Sequence, residues 1–269
     1  MGKLVVVATP IGNRGDLSPR ALEALGDCDV IAAEDTRHTG QLMAAFGVKK
    51  PYVSYHEHNR AAREAGFLAR LEAGQTVALV SDAGTPGVCD PGQEIVAAAI
   101  AAGHEVTMVP GPCAAVMALV LSGLDTSCWV FEGFLPTKGR AARLTTLAAE
   151  GRTIVLYEAP HRLSETLGQL AETCGAERRG AVARELTKMH EEVRRGSLAE
   201  LAAWAAEGVR GECIIVFEGA VARQADDEQI LAAYRAASAH APPKAAAAAV
   251  AAIAGVSANY VYQVAVKGK

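Results

Sequence analysis

The densest run of residues able to contact a ligand is Ser81-Asp82-Ala83-Gly84-Thr85-Pro86-Gly87-Val88-Cys89-Asp90-Pro91-Gly92, which follows the apolar run Val77–Val80. Glycine and proline shape tight turns and close backbone approach, while Ser, Asp and Thr bring hydroxyl and carboxylate groups. Asp90 and Pro91 suit the cap and first residue of a following helix. That leaves Ser81 to Val88 unexplained by capping, and a ligand loop is the better reading. Two further segments have the same character. Thr9 to Pro19 holds more glycine and proline than the Ser18-Pro19 helix start requires, and Val109-Pro110-Gly111-Pro112 leads into a helix opened by Cys113 and Ala114. Side chains that small leave helix-start amides open to a ligand. A different chemistry is suggested by Glu185, Lys188, His190 and Glu191, and by His161-Arg162 earlier in the chain. A carboxylate can take a proton from a hydroxyl, and a nearby cation can steady the resulting oxyanion or a phosphate. Glu185 is therefore the candidate base, and Lys188 and Arg162 are the candidate cations. The competing reading is that Glu185 and Lys188 form an ordinary surface pair.

Two weaker signals carry less. His56-x-His58 is the one close histidine pair and lacks a third ligand nearby, so no metal is expected. Glu34 and Asp35 stand where a dinucleotide fold places its ribose carboxylate. Gly12 and Gly15 alone do not make that fold's fingerprint, so a solvated strand end is the plainer reading.

These segments need elements to hold them, and the hydropathy pattern supplies an α/β architecture. Short apolar runs at Leu4–Ala8, Asp29–Ala33, Tyr52–His56, Val77–Val80 and Glu105–Val109 alternate with helical stretches at Pro19–Leu25, Thr39–Phe46, Arg60–Glu72, Pro91–Ala102 and Pro112–Leu121. Apolar strands alternating with amphipathic helices predict a parallel sheet covered on both faces. In such sheets ligands bind beyond the carboxyl ends of the strands, where all three loops emerge. After Gly123-Leu124-Asp125 a second set of strands follows, at Trp129–Phe134, Thr153–Tyr157, Ala181–Glu185, Glu191–Arg195 and Glu212–Glu218. The short step from Glu185 to Glu191 favours antiparallel neighbours and a mixed sheet. The expected division is residues 1–121, residues 122–224 and a helical remainder at 225–269. In the remainder Ala232–Ala239, Lys244–Ile253 and Ala258–Val266 are helical, and Gly255 sits in the turn of a helix-turn-helix outline. A helical cap on the second domain and a nucleic-acid contact are both open for it.

The chain has 269 residues, 51% of them hydrophobic and 21% charged, which suits packed cores and argues against disorder. A net charge of −4 excludes a strongly basic nucleic-acid binder by total charge. Basic residues do cluster locally: Arg37 with Lys49, Lys50, Arg60 and Arg63; Lys138, Arg140 and Arg143; Arg178-Arg179; and Arg194-Arg195. Phe134 to Arg140 is the most loop-like of these and is the preferred RNA edge. Six scattered cysteines without a C-x-x-C pair read as reduced thiols. No apolar run approaches membrane-spanning length, and a cytoplasmic protein is expected.

Several segments match one family in order and spacing: Glu34-Asp35-Thr36-Arg37, His56-x-His58-Asn59, Ser81 to Pro86, Val109 to Pro112, Phe131 to Pro136, Tyr157 to Arg162 and Ala183 to Lys188. Over about residues 3–265 the chain resembles the tetrapyrrole methylase superfamily, in its branch acting on small-subunit ribosomal RNA. The resemblance implies a class III methyltransferase fold with S-adenosylmethionine between two α/β domains. It also implies 2′-O-methylation of a cytidine ribose in the decoding region of 16S rRNA, on the 30S subunit, by a homodimer. Carried onto this sequence, the cofactor residues would be Pro10, Ser81, Asp82, Ala83, Gly84, Thr85, Val88, Cys113, Ala114, Leu156, Tyr157, Ala183 and Cys213. Cys89 and Cys113 depart from the serines usual in the family. If only the backbone of residue 113 matters, little changes. A methyltransferase acting on corrin-type small molecules, and a catalytically silent RNA-binding protein, are the alternatives. The 225–269 helices and the segments around Glu158 and Glu185 argue against the first, and the intact Ser81–Thr85 loop argues against the second.

Overall fold

The computed structural model describes residues 2–55, 60–220 and 227–267, those at 60–63 by backbone alone. His56, His58 and Asn59, with the side chains of Arg60 and Arg63, lie outside the described residues. The chain forms two compact units, Met1–Gly219 and Ala220–Lys269.

The first unit opens with strict alternation: β1 (Lys3–Val7), α1 (Pro19–Asp27), β2 (Val30–Ala33), α2 (Thr36–Ala45), β3 (Tyr52–Ser54), α3 (Arg60–Glu72), β4 (Thr76–Val80), α4 (Gln93–Ala101) and β5 (Glu105–Val109). The strands lie in the order β3-β2-β4-β1-β5, and every neighbouring pair is parallel, as the sequence predicts. Period two along β1 sends Val5 and Val7 to one core with Leu25, Ile31 and Met43. It sends Leu4 and Val6 to the other, with Phe67, Leu71 and Ile95. Each large apolar side chain fully buried this way contributes about 1.5–3 kcal/mol. Because all five strands point the same way, their carboxyl ends share one edge of the sheet, and the ligand loops emerge there together.

The next helix, α5 (Ala114–Ser122), changes allegiance. It follows β5 in the chain, yet Ala115, Ala118 and Leu119 pack against Val155, Ala183, Ile214 and Val216 of the second sheet. Gly123, at φ 75°, ends it as a left-handed cap, which accounts for the break read there in the sequence. Then come β6 (Trp129–Phe134), α6 (Arg140–Ala149), β7 (Thr153–Glu158), α7 (Leu163–Cys174), β8 (Arg179–Arg184), β9 (Glu192–Ser197), α8 (Leu198–Ala206) and β10 (Cys213–Phe217). Their order is β6-β7-β10-β8-β9, parallel between β6 and β7 and antiparallel elsewhere, the expected mixed sheet. One face carries α5. The other is filled by Leu144, Leu163, Leu167, Leu170 and Leu198 from the remaining helices.

Among its described residues the second unit has three helices, α9 (Asp227–Ser238), α10 (Pro243–Ala254) and α11 (Ala258–Lys267), around Ile230, Ala247, Val250, Val261 and Val264. Gly255, at φ 66°, makes the left-handed turn between the last two helices. All six cysteines are free thiols.

Candidate active site

The loops of the first sheet are stitched to one another before any ligand arrives. Thr9 N–H donates to the Gly84 carbonyl at 2.8 Å, and Gly84 N–H donates back to Thr9 at 3.1 Å. The Thr9 hydroxyl donates to Ser81 O at 3.1 Å, and the Thr85 hydroxyl to Pro112 O at 3.0 Å. Gly84 has φ 79°, a left-handed conformation natural to glycine, and a Cβ there would lie 3.3 Å from the Ile11 methyl. Gly111 is equally constrained, since an added Cβ would come within 2.9 Å of the Ala8 Cβ. Ser81 is buried behind the loop, with its hydroxyl 3.3 Å from the Ala83 carbonyl.

The expected cap at Asp90-Pro91 is corrected by the structure. Helix α4 begins at Gln93 with Gly92 as its N-cap, and no side chain caps it. Asp90 stays in the loop, where burial holds its carboxyl above the usual range, offset in part by the Ser81 hydroxyl. Glu34 is pushed the same way, by burial and then by the charges of Asp82 and Asp90. Asp35 is a helix cap, accepting the N–H groups of Arg37 at 2.8 Å and His38 at 3.4 Å.

These loops form one side of a cavity of about 390 Å³. Ile11, Ala83, Gly84, Thr85, Val88, Cys89 and Asp90 line it from the first sheet, and Cys113 and Ala114 from the start of α5. Phe134, Tyr157, Glu158, Ala159, Leu186, Glu212, Cys213 and Ile214 close it from the second. Its size falls among small-molecule sites, which run from about 300 to 1,000 Å³. Cys113 is the N-cap of α5 and makes no side-chain cap bond, so its sulfur leaves the backbone role of that position intact. The Tyr157 ring meets Phe131 and Phe134 edge-on, with centroids 5.0 and 5.6 Å away. Burial, more than any neighbour, raises its phenol well above the ordinary range. Burial likewise lifts the Cys213 thiol to about 11, which keeps it neutral.

A second cavity, of about 280 Å³, shares Ile11, Ala83 and Glu212 with the first. Pro10, Gly12, Arg14, His38, Gln41, Leu42, Asp82 and Lys188 complete its wall. Here the structure brings together Glu185 and Lys188, with a partner the sequence did not single out. Lys188 Nζ lies 2.9 Å from Glu185 Oε1 and 2.9 Å from Glu212 Oε2. Glu185 Oε1 also accepts the Glu212 N–H at 3.0 Å. The Lys188 hydrogen bond, and then that N–H, hold the Glu185 carboxyl below the usual range. Burial works to lower the Lys188 pKa, but its bonds to Glu212 and Glu185 outweigh burial and keep it raised.

The backbone under this clamp is strained. Glu185 and Thr187 take φ values of 50° and 67°, uncommon for residues with a Cβ. Gly211 makes room for the Glu185 carboxyl, which an added Cβ would overlap. Gly12 does the same for Lys188, since a Cβ there would come within 2.5 Å of the lysine Cγ.

Of the residues the resemblance assigned to the cofactor, Ala83, Gly84, Thr85, Val88, Cys113, Ala114, Tyr157 and Cys213 line the larger cavity. Pro10 and Asp82 line the smaller one. Leu156 packs on the opposite face of the second sheet, with Ile154 and Leu163, and Ala183 is covered by α5. Arg162 lines neither cavity. It stands 3.7 Å from Glu158, a carboxylate with 1% of its side chain exposed. Glu158 also accepts the Ala159 N–H at 2.9 Å, a bond from the Thr166 hydroxyl and one from Arg140 at 3.5 Å.

That last partner corrects the expected RNA edge. Arg140 is 12% exposed and turned inward to Glu158 and Gln169, because α6 begins at this residue and carries it toward α7. Lys138 remains exposed, and Phe134 is 56% exposed. The other basic clusters are mostly engaged. Arg143 pairs with Glu132, Arg178 reaches Ala148 O, Arg179 pairs with Glu218, and Arg194 lies over Trp204. Arg195 donates to the carbonyls of Leu121 and Ser122.

Residues 3–202 match the family described as Tetrapyrrole (Corrin/Porphyrin) Methylases, and residues 224–269 match the RsmI C-terminal HTH domain. A Synechocystis sp. protein named ribosomal RNA small subunit methyltransferase I is 55% identical over 223 residues, covering 82% of this chain and 80% of its own length. A Pseudomonas aeruginosa protein of the same name is 46% identical, covering 97% of this chain and 96% of its own. Among solved structures, uroporphyrin-III-C-methyltransferase from Thermus thermophilus aligns with a TM-score of 0.59 at 25% identity, over 81% of this chain and 94% of that one. Another structure of a Thermus thermophilus enzyme of that name, complexed with S-adenosylhomocysteine, aligns at 0.57 and 19% identity, over 80% and 97%.

Proposed function

This chain belongs to the tetrapyrrole methylase family, in the group whose curated members are named ribosomal RNA small subunit methyltransferase I, and we propose that it methylates a cytidine ribose 2′-oxygen in the decoding region of 16S rRNA. The reading extends to the assembled 30S subunit as substrate, to a homodimer acting in the cytoplasm, and to a contact with RNA from helices α9 to α11. One observation carries it: two cavities share a wall, the larger suited to a small cofactor and the smaller holding a fixed cation.

S-adenosylmethionine, when bound, supplies an electrophilic methyl group on a sulfonium sulfur. The residues of the larger cavity fit it. Gly84 and Ala83 allow close approach to backbone, Cys113 and Ala114 present helix-start amides, and Val88, Phe134, Leu186 and Ile214 exclude water. A dry, preorganised site supports such a displacement chiefly through positioning. In this reading Glu185 anchors Lys188, and its lowered pKa makes it a weaker base than an ordinary carboxylate. Glu212 lines both cavities, is 77% exposed, and has one oxygen engaged by Lys188. It is the carboxylate placed to take the 2′-hydroxyl proton. Lys188, held protonated, steadies the oxygen as charge develops on it.

The test is transfer of labelled methyl from S-adenosylmethionine to unmodified 30S subunits, with naked 16S rRNA and a tetrapyrrole precursor in parallel. Label is expected on a cytidine 2′-oxygen of the 30S RNA. Label on the tetrapyrrole alone would overturn the proposal.

A further inference from the structure

Cofactor binding accounts for the larger cavity and leaves the smaller one without an occupant. Its wall is mixed in charge: Arg14 and Lys188 are cationic, while Asp82 and Glu212 are anionic. Glu34 adds a further carboxylate close to Asp82. A macrocycle bearing many carboxylates would meet two acids in a cavity of about 280 Å³. A single nucleoside is uncharged apart from its flanking phosphates, and exposed Arg14 can meet one of those at the rim.

The acids also specify an edge. Asp82 Oδ1 accepts the Asp35 N–H at 3.0 Å, which anchors one oxygen of the carboxylate. Its second oxygen can then accept from a donor inside the cavity. An aspartate is the standard acceptor for the exocyclic amine of cytosine, whereas the O4 of uracil would face it as a second acceptor. Lys188 spends two of its three protons on Glu185 and Glu212, and the third is available to a ribose oxygen. Enzymes that modify one nucleotide commonly draw it out of its stack into a close-fitting pocket and read its base edge there.

We propose that the smaller cavity seats one amine-bearing pyrimidine nucleoside drawn out of its RNA strand, with Asp82 as the residue that selects its amine. This deepens the RNA-methylation reading above and rests on it. It moves Asp82 from cofactor contact to substrate selection.

The experiment compares wild type with Asp82→Asn on 30S subunits carrying cytidine or uridine at the methylated position, together with calorimetric affinity for S-adenosylmethionine. Asparagine keeps an oxygen for the Asp35 N–H and offers an amide donor to uracil O4. The variant is expected to bind the cofactor as wild type does, to lose about tenfold or more in kcat/KM on cytidine, and to shift its preference toward uridine. A second variant, Gln41→Ala, lies at an exposed position of α2 in the same wall. It is expected to raise KM for the subunit with cofactor affinity unchanged. Loss of cofactor affinity in Asp82→Asn would overturn the proposal, and so would an unaltered preference for cytidine. A wild-type enzyme that binds cofactor but labels neither subunit would overturn the methyltransferase reading itself, an outcome distinct from the other two.

Discussion

The two halves of the larger unit line the same cavities by different means. The parallel sheet presents mainly backbone and small side chains, in loops cross-linked through Thr9, Ser81, Gly84, Thr85 and Pro112. The mixed sheet presents charge, in Glu158, Glu185, Lys188 and Glu212, each fixed by ionic partners. The first side sets most of the close-fitting shape, with Asp82, Asp90 and Arg14 as its charges, and the second supplies the ion-paired cluster. Recognising a cofactor needs close approach, which glycine and alanine permit. Stabilising charge that develops during reaction needs oriented groups whose surroundings do not rearrange.

The contrast can be broken most sharply at Lys188. Lys188→Ala is expected to lower kcat about 10²-fold or more while affinity for S-adenosylmethionine stays within about twofold. Steady-state kinetics beside calorimetry check this, and an equal loss of cofactor affinity would erase the division. Arg140→Ala tests whether charge in the second half is also structural. It removes one of the two guanidinium groups beside buried Glu158, and about 2 kcal/mol of stability should be lost in denaturant unfolding. The smallest effects concern pH, and they have opposite signs in the two halves. Asp90 has a raised pKa, so its ionised form costs stability at neutral pH, and the cost disappears as pH falls through that raised value. Glu185 has a lowered pKa, so its contribution is complete above the ordinary carboxylate range and is lost as pH falls through the lowered value. Asp90→Asn should therefore melt a few degrees higher than wild type at neutral pH, and Glu185→Gln lower. Both differences should shrink in acid, as thermal scans from pH 7 to pH 3 would record.

Much of this arrangement was legible in the sequence where local rules decide. The alternation of apolar runs and helices gives the parallel sheet, and the Gly- and Pro-rich strand ends give the loops that line the larger cavity. Ser18 with Pro19 marks a helix start that the structure contains, the Ser18 hydroxyl accepting the Ala21 N–H at 3.1 Å. Residues whose roles depend on distant partners were not legible. Glu212 stands between a glycine and a cysteine without a motif, and only the pairing of β10 with β8 brings it to Glu185 and Lys188. Arg140 reads as a basic loop residue, but its direction is set by Glu158 and Gln169 on other elements. Asp90-Pro91 had the chemistry of a cap. The carboxyl was instead engaged by Ser81, nine positions back in the chain, and Gly92 opened the helix.

Helix α5 has a consequence for how the larger unit comes apart. Its first residues help enclose the larger cavity, its side chains fill the core of the mixed sheet, and Arg195 of β9 holds its last carbonyls. Residues that emerge from one sheet thus complete the interior of the other. Cleavage ahead of this helix would leave the mixed sheet covered, and cleavage behind it would leave that sheet's inner face wet. Calorimetry is therefore expected to record one melting transition for the two halves, raised as a whole by any ligand that grips the strand ends.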